Sequence, residues 1–221
     1  MIVFKPHELL WATTAQALGA VPGWATGEWL SRAPVVVRRE TMVAGRIPVG
    51  LRGKTRSERC GAYLHCDAVA RCVTPEMLAR AGVDPCPVAG EVAALAAMRT
   101  LAPLLDATGL SWGPTGGVGF ALASGLPVLH ADSDLDLVLR ASAPLGVDVA
   151  GALGALMHVV SCRLDLQIDT GHGAFSFAEW SAGHRRVLLK TDIGPFLTDD
   201  PWNLGGWLDV AGERMASEGH A

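Results

Sequence analysis

The sequence predicts an α/β (α+β) protein in which a mixed sheet flanked by helices is preceded by a smaller, basic α/β unit. Three observations carry this reading. Arg163–Asp169 alternates between polar and apolar residues, and Asp134–Arg140 places Leu135, Leu137 and Leu139 on one face and Asp134, Asp136 and Val138 on the other, the period of a half-buried strand. Between them Val149–Val160 reads as a helix, and strand, helix, strand is the signature of a mixed sheet. The charge also changes sign along the chain, residues 1–87 carrying a net +4 and residues 88–221 a net −8. With 50% of its 221 residues hydrophobic and 18% charged, the chain can bury a sizeable core, which excludes a disordered protein.

In the basic unit, Pro6 is placed to open a helix running through Leu18, and Pro22 to open a second through Arg32 that Ala33-Pro34 ends. Val35-Val36-Val37 is a β-branched strand. The Gly- and Arg-rich stretch Gly45–Gly61 reads as a loop. Thr74-Pro75-Glu76 is a cap followed by a first-turn proline, giving a short helix that Gly82 ends. Asp84-Pro85-Cys86-Pro87 excludes regular structure and is the expected linker, dividing a 1–87 N-terminal domain from an 88–221 catalytic domain.

In the acidic unit, Val92, Leu95, Met98, Leu101 and Leu105 form the apolar stripe of a helix over Glu91–Ala107. A glycine-rich turn then leads into an expected strand over Val118–Ala123. Val187-Leu188-Leu189 is strand-like, and Ser176 with Glu179 has the spacing of a capping box. The seven tryptophans read as core and interface anchors, and His130 and His172 as packing residues.

Function classes narrow from composition. An acidic second half is a poor partner for duplex nucleic acid, which must have its phosphates neutralised. Lys5, Pro6, His7 and Glu8 interrupt the apolar start, so a secretory leader is not expected. The longest uncharged run, Ala107–Ala131, holds six glycines and two prolines, so no membrane span is expected. The five cysteines show no CxxC and no zinc spacing, and a reduced, cytoplasmic protein is the expectation.

The chemistry-bearing residues are acidic. On a strand, Asp134 and Asp136 point the same way about 6–7 Å apart and can converge on ions above the sheet. Carboxylates gathered without a basic partner repel one another, and a divalent cation removes that penalty; Mg²⁺, with its hard oxygen ligands and its affinity for phosphates, is the expected ion. Trp112-Gly113-Pro114-Thr115-Gly116-Gly117 precedes this strand, and such a turn lets backbone N–H groups approach a polyphosphate. Asp165 is the first choice for a third carboxylate, with Asp169 the alternative on the same face, beside Gln167. Seven Lys/Arg between Arg38 and Arg59, Arg52 and Arg56 among them, give a local net +5 suited to a triphosphate or an acidic protein. Lys190 is a further phosphate candidate.

A Gly-Gly turn, an Asp-hydrophobic-Asp strand and a later Asp strand resemble the nucleotidyltransferase superfamily of two-metal phosphoryl-transfer enzymes. Dehalogenase-type phosphatases, with their apolar strand before the aspartates, fit less well. A closer resemblance spans nearly the whole chain: Val35-Val36-Val37-Arg38-Arg39, Ile47 to Gly53 with Arg56, Trp112 to Gly119, Ser133 to Leu137, Gly173-Ala174-Phe175 with Glu179-Trp180, and Asp200-Pro201-Trp202. These look like the phosphoribosyl-dephospho-CoA transferases, the holo-acyl carrier protein synthases of malonate decarboxylase.

That resemblance implies a nucleotidyltransferase-like sheet and a reaction. A triphosphoribosyl-dephospho-CoA donor would give its phosphoribosyl-dephospho-CoA part to a serine of the acyl carrier protein subunit of malonate decarboxylase, and diphosphate would leave. The family's acidic strand falls on Asp134 and Asp136 as Mg²⁺ ligands, with Asp165 completing a second metal site or deprotonating the serine. Gly117 stands where nucleotidyltransferases commonly place a serine, which leaves Thr115 and Ser133 as the available hydroxyls. The other readings are a nucleotidyltransferase moving a nucleoside monophosphate, and a phosphate- or carrier-binding module without activity.

Overall fold

A computed structural model describes residues 3–55, 57–83 and 92–203. It contains two sheets. The first comprises β1 (Leu9–Ala12), β2 (Val35–Val37), β3 (Arg46–Arg52), β4 (Arg59–His65) and β5 (Val69–Val73), in the order β4-β3-β2-β1-β5 with every pairing antiparallel.

Three expectations for this unit are corrected. The helix from Pro6 to Leu18 does not form. His7 adopts φ 75°, and the chain then enters β1, where Leu9 and Leu10 pair with Val36 and Val35 on one side and Val73 and Cys72 on the other. Only Ala15–Leu18 winds, as a 3₁₀ turn. Two flanking ladders satisfy the backbone of a central strand and override weak local helix preference. The second helix is shorter than expected: α1 spans Gly27–Arg32, with Thr26 capping it by accepting from the Trp29 N–H at 3.2 Å. Gly45–Gly61 is largely strand, because Ile47, Val49 and Leu51 on β3 and Ala62 and Leu64 on β4 alternate inward. Opposite faces of that hairpin leave the glycines Gly50 and Gly61 paired across the strands.

α2 (Pro75–Ala81) forms as read, with Thr74 capping it through the Met77 N–H and Gly82 ending it at φ 72°. The expected linker Asp84–Pro87, the boundary at residue 88, Cys86 and Glu91 lie outside the described residues.

The second unit runs α3 (Ala93–Asp106), β6 (Ser111–Pro114), α4 (Gly116–Ser124), β7 (Leu135–Arg140), α5 (Val147–Leu156), β8 (Leu164–Asp169), β9 (Ala174–Ser176), α6 (Phe177–Ser181), β10 (Val187–Thr191) and β11 (Gly194–Thr198). Its sheet has the order β11-β10-β9-β8-β7-β6. β7 and β8 are parallel, joined by the α5 crossover, and the other pairs are antiparallel. Val118–Ala123 is helix rather than strand: a continuous apolar run carries no period, and here it is buried as the middle of α4. Ser176 makes no side-chain cap on α6; Glu179 instead accepts from the Leu188 N–H, tying α6 to β10.

Leu135, Leu137, Leu139, Leu166 and Ile168 pack on α3 and α5 through Leu95, Met98, Leu101, Leu105, Leu153 and Leu156. Each such fully buried leucine contributes roughly 2 kcal/mol. A separate core forms on the inner face of the first sheet from Leu10, Val35, Val37, Ile47, Val49, Leu51 and Leu64. Each sheet thus spends one face on its own core. The remaining faces turn toward each other, and that arrangement creates the site. No described helix is long and apolar enough to cross a membrane.

Candidate active site

The register of β7 and β8 aligns the acidic residues in rows. Asp136 lies beside Asp165, Val138 beside Gln167 and Arg140 beside Asp169, all on the face opposite the leucine core. Asp134 sits two residues before Asp136, just ahead of β7. Asp136 is partly buried, and its carboxyl is held above the usual carboxylate range by that burial, then by repulsion from Asp165 and Asp134, against the pull of Arg52 and Arg163.

The backbone at the start of α4 is pressed onto this carboxylate. Gly116 adopts φ 54°, and a β-carbon there would lie 1.8 Å from Oδ2 of Asp136. The Thr115 N–H donates to the Asp136 carbonyl at 2.8 Å, and the Thr115 hydroxyl makes no cap on α4. Gly116 and Gly117 are therefore the first residues of a helix rather than a free turn, and its N-terminal N–H groups open beside the acidic strand.

Across from them stands the outer face of the first sheet. A cavity of about 620 Å³ is lined by Arg38, Arg52 and Arg59 from that sheet and by Thr115, Gly116 and Asp136 from the second. Gly50 and Gly61 form its floor, where a side chain would meet Arg38; at Gly61 a β-carbon would come within 2.7 Å of its guanidinium. The Arg52 guanidinium lies 5.3 Å from the Phe120 ring centre and beside Gly117. The cavity therefore has three arginines on one wall, and Asp136 with the start of α4 on the other.

The other expected residues are placed differently. Ser133 closes a turn, its Oγ accepting from the His130 N–H at 2.9 Å. Lys190 is exposed on β10, aligned with Ala174, and is not among the residues lining the cavity. Arg56 lies outside the described residues. Asp169 is engaged in a clamp: its Oδ2 accepts from Arg39 at 2.6 Å and Arg140 at 2.8 Å, and its Oδ1 from the Gly171 N–H. Burial alone would raise the Asp169 carboxyl, but Arg39, the Gly171 N–H and Arg140 reverse this and hold it below the usual range.

Sequence reasoning did not single out His7, which lines the same cavity. Burial, then the charges of Arg39 and Arg140, lower its imidazole to about 4, although Asp169 and a hydrogen bond with Gln167 act the other way. Its left-handed backbone has no signature in the sequence. Arg38 and Arg59 belong to the cationic cluster; Arg59 opens β4 and Arg38 directly follows β2, and only those strand positions distinguish them from its remaining members.

The donor set bears on a metal ion. Asp134, Asp136 and Asp165 offer hard oxygens and mutual repulsion, which suit a divalent cation. Among the described residues no three His, Cys, Asp or Glu side chains close into a metal-holding group. The residues thus suit an ion held by one or two carboxylates and completed by water and substrate phosphate, the usual habit of Mg²⁺.

Residues 81–201 match a family model described as the phosphoribosyl-dephospho-CoA transferase MdcG C-terminal domain, and residues 5–75 match that of its N-terminal domain. A phosphoribosyl-dephospho-CoA transferase of Pseudomonas putida (strain W619) is 45% identical over 201 residues, spanning 90% of this chain and 96% of its own. Proteins of the same name from Klebsiella pneumoniae (strain 342) and Azotobacter vinelandii are 41% and 42% identical, each over 90% of this chain and over 96% and 94% of their own. No solved structure matches the chain.

Proposed function

Because the chain belongs to the phosphoribosyl-dephospho-CoA transferase family, we propose that its acceptor is a serine of the acyl carrier protein subunit of malonate decarboxylase. The donor is 2'-(5''-triphosphoribosyl)-3'-dephospho-CoA, and diphosphate leaves. The observation that carries this reading is one cavity with arginines on one wall and Asp136 on the other. A triphosphate needs both: cations for its oxygens, and carboxylates able to hold the Mg²⁺ that a polyphosphate brings.

In this reading Arg38, Arg52 and Arg59 bind and orient the triphosphate, and the N–H groups at the start of α4 take one of its phosphates. Asp136, with Asp134, would hold Mg²⁺ through one or two carboxylates. When bound, that ion supplies charge neutralisation at the reacting and leaving phosphates. The carrier serine oxygen forms a bond to the phosphorus next to the ribose as the bond from that phosphorus to the diphosphate oxygen breaks. The serine proton passes to Asp165, the carboxylate beside Asp136.

Incubation with apo carrier subunit, Mg²⁺ and the donor should add one phosphoribosyl-dephospho-CoA mass to a single carrier serine and release diphosphate. Failure of the carrier to gain mass would overturn the reading.

A further inference from the structure

A second cavity, of about 640 Å³, lies along the same seam between the two units. Its walls are Trp24 and Trp29, the apolar segment Leu126-Pro127-Val128 of the second unit, and Gly53 and Lys54 just after β3. Trp29 is oriented from its edge: its Nε1–H donates to the Arg52 carbonyl at 2.8 Å. Arg52 therefore lines the phosphate cavity with its side chain and holds the tryptophan of the second cavity with its backbone. The exposed Lys54 ammonium sits 5.9 Å from the Trp29 ring centre, so an electron-rich aromatic surface faces the opening. Glu28 and Glu58 bring carboxylate acceptors to the same lining.

We propose that this cavity is the binding site for the adenine base of the dephospho-CoA donor. The inference rests on the proposed donor. In that molecule the adenosine is one sugar away from the reacting triphosphate, whereas the pantetheine arm is further off, beyond the 5'-diphosphate. The compartment that begins one residue after the phosphate-facing Arg52 is thus where the adenosine falls. Two indoles suit a flat base, which stacks on an aromatic face irrespective of its edge. Acceptors at Glu28 and Glu58 match the exocyclic amine of adenine. The apolar floor of Leu126 and Val128, both buried, excludes water from one side of the base. An exposed lysine over Trp29 gives way to the base and remains near its phosphates.

The test is calorimetric titration of the full chain with ADP and with 4'-phosphopantetheine as separate probes, without metal. ADP should bind, and Trp24→Ala should weaken it on the order of tenfold, the loss of one stacking contact, while Trp24→Phe recovers most of the affinity. Phosphopantetheine should not displace ADP. An unchanged ADP affinity in a folded Trp24→Ala protein, or displacement of ADP by phosphopantetheine, would overturn the assignment. A thermal melt separates lost binding from lost fold, and Val128→Trp, which fills the cavity from its other wall, should block ADP independently. Carrier modification is read in a separate assay, so normal transfer with unchanged ADP binding in both variants sinks the adenine site alone, and ADP binding without transfer sinks the donor–acceptor reading alone.

Discussion

Gly116 and Asp136 are in such close contact that the space for a β-carbon on the glycine is occupied by the aspartate carboxylate, 1.8 Å from where that carbon would lie. The left-handed φ of 54° at Gly116 adds a second reason for glycine there. Gly116→Ala must displace the carboxylate or the start of α4, and a misplacement of about 1 Å costs on the order of 10²-fold in transfer rate. Gly117→Ala meets Leu129 at 3.3 Å and Arg52 at 3.5 Å, contacts that small side-chain shifts relieve, and should cost less than about tenfold. Steady-state transfer rates of the two variants check this.

Asp136→Asn should lose activity and gain stability. Burial, with Asp165 and Asp134 nearby, raises the Asp136 carboxyl above its ordinary 3.8. Between that value and the raised one the folded chain binds more protons than the unfolded chain, so stability falls as pH rises through this window, and the penalty persists at neutral pH. The neutral amide removes it. A higher Tm at pH 7, a smaller rise in Tm on adding Mg²⁺, and a transfer rate down by roughly 10²-fold or more are the expected outcomes.

Removing the clamp between the two units should destabilise them. Asp169→Ala strands Arg39, whose side chain is only 14% exposed, and leaves Arg140 with Glu76 and the Pro6 carbonyl as its remaining partners. Stranding a buried partner costs about 3 kcal/mol, read as a lower urea midpoint, and moderate salt should hardly change it because buried pairs are poorly screened.

His7 should make the fold acid-sensitive. Its imidazole ionises at about 4 when folded against 6.5 when free, facing Arg39, Arg140 and Asp169. Below 6.5 the unfolded chain takes up a proton that the folded chain refuses, so stability falls as pH drops from 6.5 toward 4. The full loss is on the order of 3 kcal/mol. His7→Gln should flatten that part of the stability profile, measured by denaturant unfolding at several pH values.

The strands that carry the acidic residues were legible because Arg163–Asp169 alternates throughout and Asp134–Arg140 does so with Val138 as its one apolar residue on the acidic face. The hairpin of β3 and β4 was hidden: Pro48, Gly50, Gly53 and Gly61 read as loop, although Ile47, Val49 and Leu51 already showed the period of two. Gly50 and Gly61 weaken local strand preference because their missing side chains leave room for the cavity and Arg38. The helix at Gly116–Ser124 was hidden for another reason, since an apolar run buried on all sides has no period to read.

By itself the sequence determined the two opposed charge distributions, the acidic strand, and a family resemblance running through both halves. Local chemistry suffices for these, because strand alternation and charge are properties of neighbouring residues. Only the tertiary structure decided which cations face the aspartates, that Asp169 clamps the units while Asp165 stands beside Asp136, and that His7 enters the site. The place of Asp165 depends on the register of β7 against β8, and the others depend on two sheets presenting the faces their own cores leave free.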